Sequence, residues 1–249
     1  MRFDRVIVTA ALIGIVAVAW AYLLLGAGMG PSIRMGAIIM PMPWTLTTFL
    51  VVAVMWIAMM VAMMLPSAAP MILLFAAIDR RKAARGSPYG ATGLFALGYL
   101  VVWAAFSFAA TVAQRELEQA KLLSPAMTNG STALAGTLFL LAGIYQLTPL
   151  RQACLRQCRS PLDFLTRYWH GGAFGALGMG LRHGLFCLGC CWAAMALLFV
   201  GGIMNVLWIA ALAVFILAEK AMPSSRLLGR AAGLGLVLWG GAVLLAVIT

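Results

Sequence analysis

A chain of 249 residues, 64% of them apolar and only 9% charged, with a mean hydropathy of +1.04, has too much apolar surface for a water-soluble fold to bury. The net charge of +11 comes from 17 Lys and Arg against six Asp and Glu. The basic residues fall in short segments between apolar runs, the positive-inside pattern of a polytopic membrane protein, and this argues against nucleic-acid binding. No P-loop or other nucleotide motif occurs, so energy for any transport would come from a partner or a gradient.

The runs predict an all-α transmembrane helical bundle of about seven spans, forming one integral membrane domain over residues 1–249. Residues 6–25, preceded by Arg2 and Arg5, are too long for a signal-peptide core and read as a retained first span. Residues 26–43, rich in Gly and Pro with Arg34 as the single charge, read as an external loop. The second span, residues 44–65, is followed by Pro66 and Pro70, which are expected to kink or break the helix. Asp79-Arg80-Arg81-Lys82 and Arg85 then form the most basic loop and mark the cytoplasmic side. Residues 90–113 are the third span, residues 114–121 a charge-neutral external loop, and residues 131–149 the fourth span with a polar exit at Tyr145 and Gln146.

Residues 150–181 read as a cytoplasmic loop carrying Cys154 and Cys158, then a Gly-rich interfacial or re-entrant segment. Arg182 argues against one uninterrupted span over 172–200, because arginine deep in hydrocarbon costs at least about 2.5–3.5 kcal/mol. The fifth span is therefore expected over 182–200, the sixth over 203–218 ending in Glu219-Lys220, and the seventh over 231–248. This topology places the protein in the bacterial inner membrane with the N-terminus cytoplasmic and the C-terminus external.

The chemistry is concentrated in His183-Gly-Leu-Phe-Cys187-Leu-Gly-Cys190-Cys191-Trp192-Ala-Ala-Met195. At helical spacing His183, Cys187, Cys190, Cys191 and Met195 share one face. Such soft donors select copper(I), zinc or iron–sulfur centres over hard cations. The five cysteines are an odd number without secreted-domain spacing, which favours ligand or redox use over structural staples. A lone membrane cysteine is ordinarily core packing, but two clusters on the same cytoplasmic side, with Cys154 and Cys158 as the second, point to a shared site. Met59 and Met63 form one stripe of the second span with Met55, and Met60 with Met64 forms another. Both run toward the inner surface as weak thioether donors suited to a relay. Glu219 is expected to pair with Arg182 or to accept a proton released on metal uptake, beside Lys220, with Tyr145 and Gln146 lining the same cavity. Two histidines are too few for a paired-haem site, and no haem-attachment motif is present.

The chain after the first span resembles a bacterial family of predicted metal-binding integral membrane proteins, a domain of unknown function sometimes labelled copper chaperone. The resemblance rests on Met59-Met60-Val-Ala-Met63-Met64-Leu-Pro66, on Tyr145-Gln146-Leu-Thr-Pro149 with Cys154 and Cys158, and on Cys187-Leu-Gly-Cys190-Cys191-Trp192 with Met195. Met204-Asn205 with Trp208, and Glu219-Lys220, complete it. It implies metal binding, with copper favoured and zinc the alternative. The expected partners are the lipid bilayer and a copper-dependent membrane protein or soluble copper carrier, with an oligomer compatible. Two rival readings are a thiol–disulfide oxidoreductase coupled to a membrane quinone and a non-catalytic assembly subunit packed through its small residues. The oxidoreductase needs external thiols for secreted clients, whereas the charge pattern puts these inside.

Overall fold

The computed structural model describes residues 2–26, 44–82, 88–123, 130–222 and 225–248, so the expected external loop over 26–43 and Arg85 lie essentially outside it. The described chain is helical without strands, in agreement with the all-α bundle. Its elements are α1 (Arg2–Leu24), α2 (Leu46–Lys82), α3 (Pro88–Gln119), α4 (Thr132–Leu147), α5 (Pro149–Arg159), α6 (Pro161–Tyr168), α7 (Gly172–Ala196), α8 (Leu198–Gly201), α9 (Val206–Ala221) and α10 (Ser225–Ile248).

By length and apolarity, five helices can cross a membrane, and a sixth crossing arises if α4 and α5 count as one span broken by a 66° bend. The chain is thus built as a membrane protein. The expected count of about seven spans, with six to eight compatible, meets this number at its lower end, because α4 and α9 each hold only 16 residues, fewer than the roughly 20 that cross a bilayer unaided. At the bend, Thr148 closes α4 and opens α5. Its side chain accepts from Arg151 N, and Pro149 occupies the first helical turn, where its missing N–H costs nothing.

Glycines set the two closest helix crossings. On α3 and α7, a Cβ on Gly98 would stand 2.4 Å from the Leu177 carbonyl oxygen, and one on Gly180 would stand 2.0 Å from that of Phe95. On α4 and α10, a Cβ on Gly143 would meet the Gly233 carbonyl oxygen at 2.8 Å, and one on Gly240 the Leu140 nitrogen at 2.7 Å. Small residues let membrane helices approach to backbone contact, where packing and not the hydrophobic effect holds them. Helix α7 thereby lies against α3, α4, α5, α8 and α9.

Four expectations change. Helix α2 passes through Pro66 and Pro70 unbroken. The hydroxyls of Ser67 and Tyr99 both donate to the Met64 carbonyl between them, at 2.8 and 3.0 Å, which ties α2 to α3 at this level. Residues 114–119 continue α3 instead of forming a loop, and Gln114 is fully buried, accepting from Trp56 Nε1 at 2.8 Å. Residues 150–181 are mostly helical, as α5, α6 and the start of α7. Finally, the Gly-rich segment and Arg182 belong to one continuous α7, because the Arg182 guanidinium lies over the Tyr168 ring of α6, 4.5 Å from its centroid.

Candidate metal centre

Cys187, Cys190 and Cys191 sit in the C-terminal half of α7, and each is at most 3% exposed. The Cys190 and Cys191 thiols donate back to the Cys187 carbonyl at 3.1 and 2.8 Å, a local bond that turns both sulfurs along one side of the helix. Their neighbours come from four other helices. From α2, Met64 Sδ stands 3.8 Å from Cys191 Sγ. From α5, which packs on α7, Cys158 is buried and Cys154 Sγ lies beside Gly189. From α3, Tyr99 Oη lies 3.2 Å from Cys187 Sγ. From α9, Lys220 donates to Cys187 Sγ at 3.0 Å and to Ser67 Oγ at 2.8 Å.

Cys154 borders this group and is its most exposed thiol. Gly189 admits it: a methyl group there would stand 2.8 Å from Cys154 Sγ. The Gly189 carbonyl accepts from the Tyr145 hydroxyl, which ties the exit of α4 to the cysteine turn.

Behind the sulfurs lies a buried ionic network. Arg151 on α5 pairs with Glu219 on α9 and donates through Nε to the Cys190 carbonyl at 3.2 Å. Gln146 on α4 donates to Glu219 at 3.0 Å. Glu219 therefore pairs with Arg151 and not with Arg182, because the bend after Thr148 carries Arg151 inward while Arg182 stacks on Tyr168. Gly229 of α10 leaves room for the pair, since a Cβ there would stand 2.8 Å from Glu219 Oε1.

His183 is 2% exposed among the rings of Phe95, Tyr99 and Phe164, with centroids 6.1, 5.6 and 5.4 Å away. Its Nδ1 has no hydrogen-bond partner. Met195 and the α2 methionines Met59, Met60 and Met63 are buried to 1% or less, and of the α2 group Met64 is placed against a cysteine. Among the described residues, no three His, Cys, Asp or Glu side chains form a group that could hold a metal ion by themselves. The Met64 thioether, a donor outside that set, stands 3.8 Å from Cys191 Sγ.

The sequence reading missed Tyr99, Ser67 and Arg151. A tyrosine following glycine inside the apolar third run was the available signal for Tyr99, and an arginine two residues after Pro149 was the signal for Arg151. The Met204-Asn205 and Trp208 motif is explained by packing: Asn205 caps α9, and Trp208 lies on Gly201 and donates to the Leu197 carbonyl at 2.9 Å.

Residues 53–243 match a protein-family model described as Copper chaperone, a span that runs from α2 into α10 and holds every sulfur of the centre. The chain belongs to the copper chaperone family. Comparison with curated proteins and with solved structures returned no match.

Proposed function

We propose that this membrane protein carries copper(I) as cargo, held by Cys187, Cys190, Cys191 and Cys158 with the Met64 thioether and passed on to a copper-dependent partner. The observation that carries the reading is the approach of the buried Cys191 thiol of α7 to the Met64 thioether of α2, with the cysteine-bearing α5 packed against α7. Copper(I) is favoured over zinc because the Met64 thioether stands against Cys191, and a thioether is a soft donor that suits copper(I). Family membership supports the same metal.

Cys154, partly exposed at the edge, is the thiol that hands copper to the partner. Copper reaches it by exchange of one sulfur ligand for the next, from Cys187, Cys191 and Met64 through Cys190 and Cys158. The remaining methionines of α2, together with Met195, give a weaker relay beside this path, since neutral thioethers release the ion more readily than thiolates. Lys220 neutralises the site when no ion is bound and can withdraw to Ser67 when one arrives. The basic ends of α2, α5 and α10 set the inner-membrane orientation with these thiols on the cytoplasmic side, where they stay reduced.

The test is metal analysis of the protein purified anaerobically with copper(I), beside a Cys187→Ser/Cys190→Ser/Cys191→Ser variant. Wild type is expected to retain copper and the variant to lose it. Equal retention by both, or none by either, overturns the reading.

A further inference from the structure

On α7 the soft-donor line begins one turn before His183. Met179, His183, Cys187, Cys191 and Met195 stand four residues apart, each at most 3% exposed, over about 24 Å of helix. Met179 differs from the others in one respect: it lines a cavity of about 410 Å³ where α6 turns into α7. The same cavity is lined by Tyr168, His170, Phe174, Arg182 and bare glycines, among them Gly178, whose Cβ would meet nothing within 4 Å.

His170 is arranged as a donor. Its Nδ1 lies 3.0 Å from the Tyr168 carbonyl. A carbonyl only accepts, so in the neutral ring Nδ1 carries the proton and Nε2 keeps its lone pair. A backbone carbonyl holding the other ring nitrogen is the usual support of a metal-binding imidazole. One turn inward from Met179, the unpartnered Nδ1 of buried His183 is a polar atom that otherwise goes unsatisfied. Arg182 gives the cavity wall a positive charge, which repels a bare cation and attracts an anionic one.

We propose that this cavity is the loading port for copper(I) delivered as an anionic thiolate complex, with His170 and Met179 as the outer donors and His183 as the first inner one. This rests on the copper(I) reading above and names the form of its cargo and its way in. The step is ligand exchange without redox change. Copper stays +1, its bonds to the carrier thiolates break as bonds to His170 Nε2 and Met179 Sδ form, and the thiolates leave with their electron pairs and charge.

The experiment uses the full chain in detergent under anaerobic conditions, mixed rapidly with copper(I) glutathione, and follows sulfur-to-copper absorbance. Met179→Leu removes the thioether at nearly constant volume, and Gly178→Leu plugs the cavity from an open position. Each is expected to slow loading roughly tenfold, the lower end of what losing a supporting metal-site group costs, while Leu97→Ala on the far side of α3 loads like wild type. Arg182→Gln is expected to slow loading from anionic copper(I) glutathione but not from cationic copper(I) acetonitrile. Wild-type rates in Met179→Leu and Gly178→Leu overturn the port while leaving the cysteine site intact. Failure of wild type to load from either complex overturns the copper(I) reading itself.

Discussion

Cys191 Sγ on α7 and Met64 Sδ on α2 stand 3.8 Å apart in the buried interior, with 127 residues of chain between them. Neither stripe could show this by itself, because each reads equally well as packing. A volume-conserving Met64→Leu exchange separates the two roles. It is expected to cost less than about 1.5 kcal/mol of stability, yet to weaken copper(I) retention roughly tenfold in competition with a chromophoric chelator. Unchanged retention assigns Met64 to packing alone.

Arg151 and Glu219 are 1% and 3% exposed, and they hold the Cys190 carbonyl and Gln146 in one network. Arg151→Met leaves Glu219 as a buried unpaired charge, expected to cost about 3–5 kcal/mol. Adding Glu219→Gln removes that charge while keeping an acceptor for Gln146, so the double variant is expected to recover most of the loss. Thermal unfolding in detergent, read as a double-mutant cycle, checks this.

Two glycines two residues apart on α7 give opposite predictions. A methyl on Gly180 would stand 2.0 Å from the Phe95 carbonyl oxygen, a backbone atom that cannot swing aside, whereas one on Gly178 meets nothing within 4 Å. Gly180→Ala is expected to destabilise by about 1–3 kcal/mol or more. Gly178→Ala is expected to be neutral or to stabilise by about 0.5–1 kcal/mol through helix propensity. Melting curves of the two variants decide it.

What the sequence conveyed follows from which forces are local. The long apolar runs and basic loops made the membrane-spanning α-bundle legible, and 3.6-residue periodicity placed His183, Cys187, Cys190, Cys191 and Met195 on one face, all of which are buried. Contacts between distant segments were not legible. Arg182 looked like the end of a span because its partner ring, Tyr168, lies on a short helix that the polar segment concealed. Glu219 was expected to meet Arg182, and it pairs with Arg151 because the 66° bend at Thr148, a tertiary feature, carries that residue inward. Pro66 and Pro70 suggested a break, yet α2 continues through both.

Cys154 is the partly exposed thiol, and Cys158, Cys187, Cys190 and Cys191 are buried. In the native protein a membrane-impermeant maleimide is expected to label Cys154 first and the other four only after denaturation. The label is expected to reach Cys154 in inside-out vesicles but not in intact cells. Mass spectrometry of the labelled peptides measures both.

The central claim is that copper(I) sits among sulfurs contributed by three helices. X-ray absorption at the copper edge tests it most directly, on the anaerobically loaded wild type beside Cys187→Ser/Cys191→Ser and Met64→Leu variants. The account predicts nearest neighbours that are all sulfur in wild type, fewer of them in Met64→Leu, and loss of the sulfur signal in the double cysteine variant. A coordination sphere of nitrogen and oxygen in wild type, or one unchanged by either variant, would contradict it.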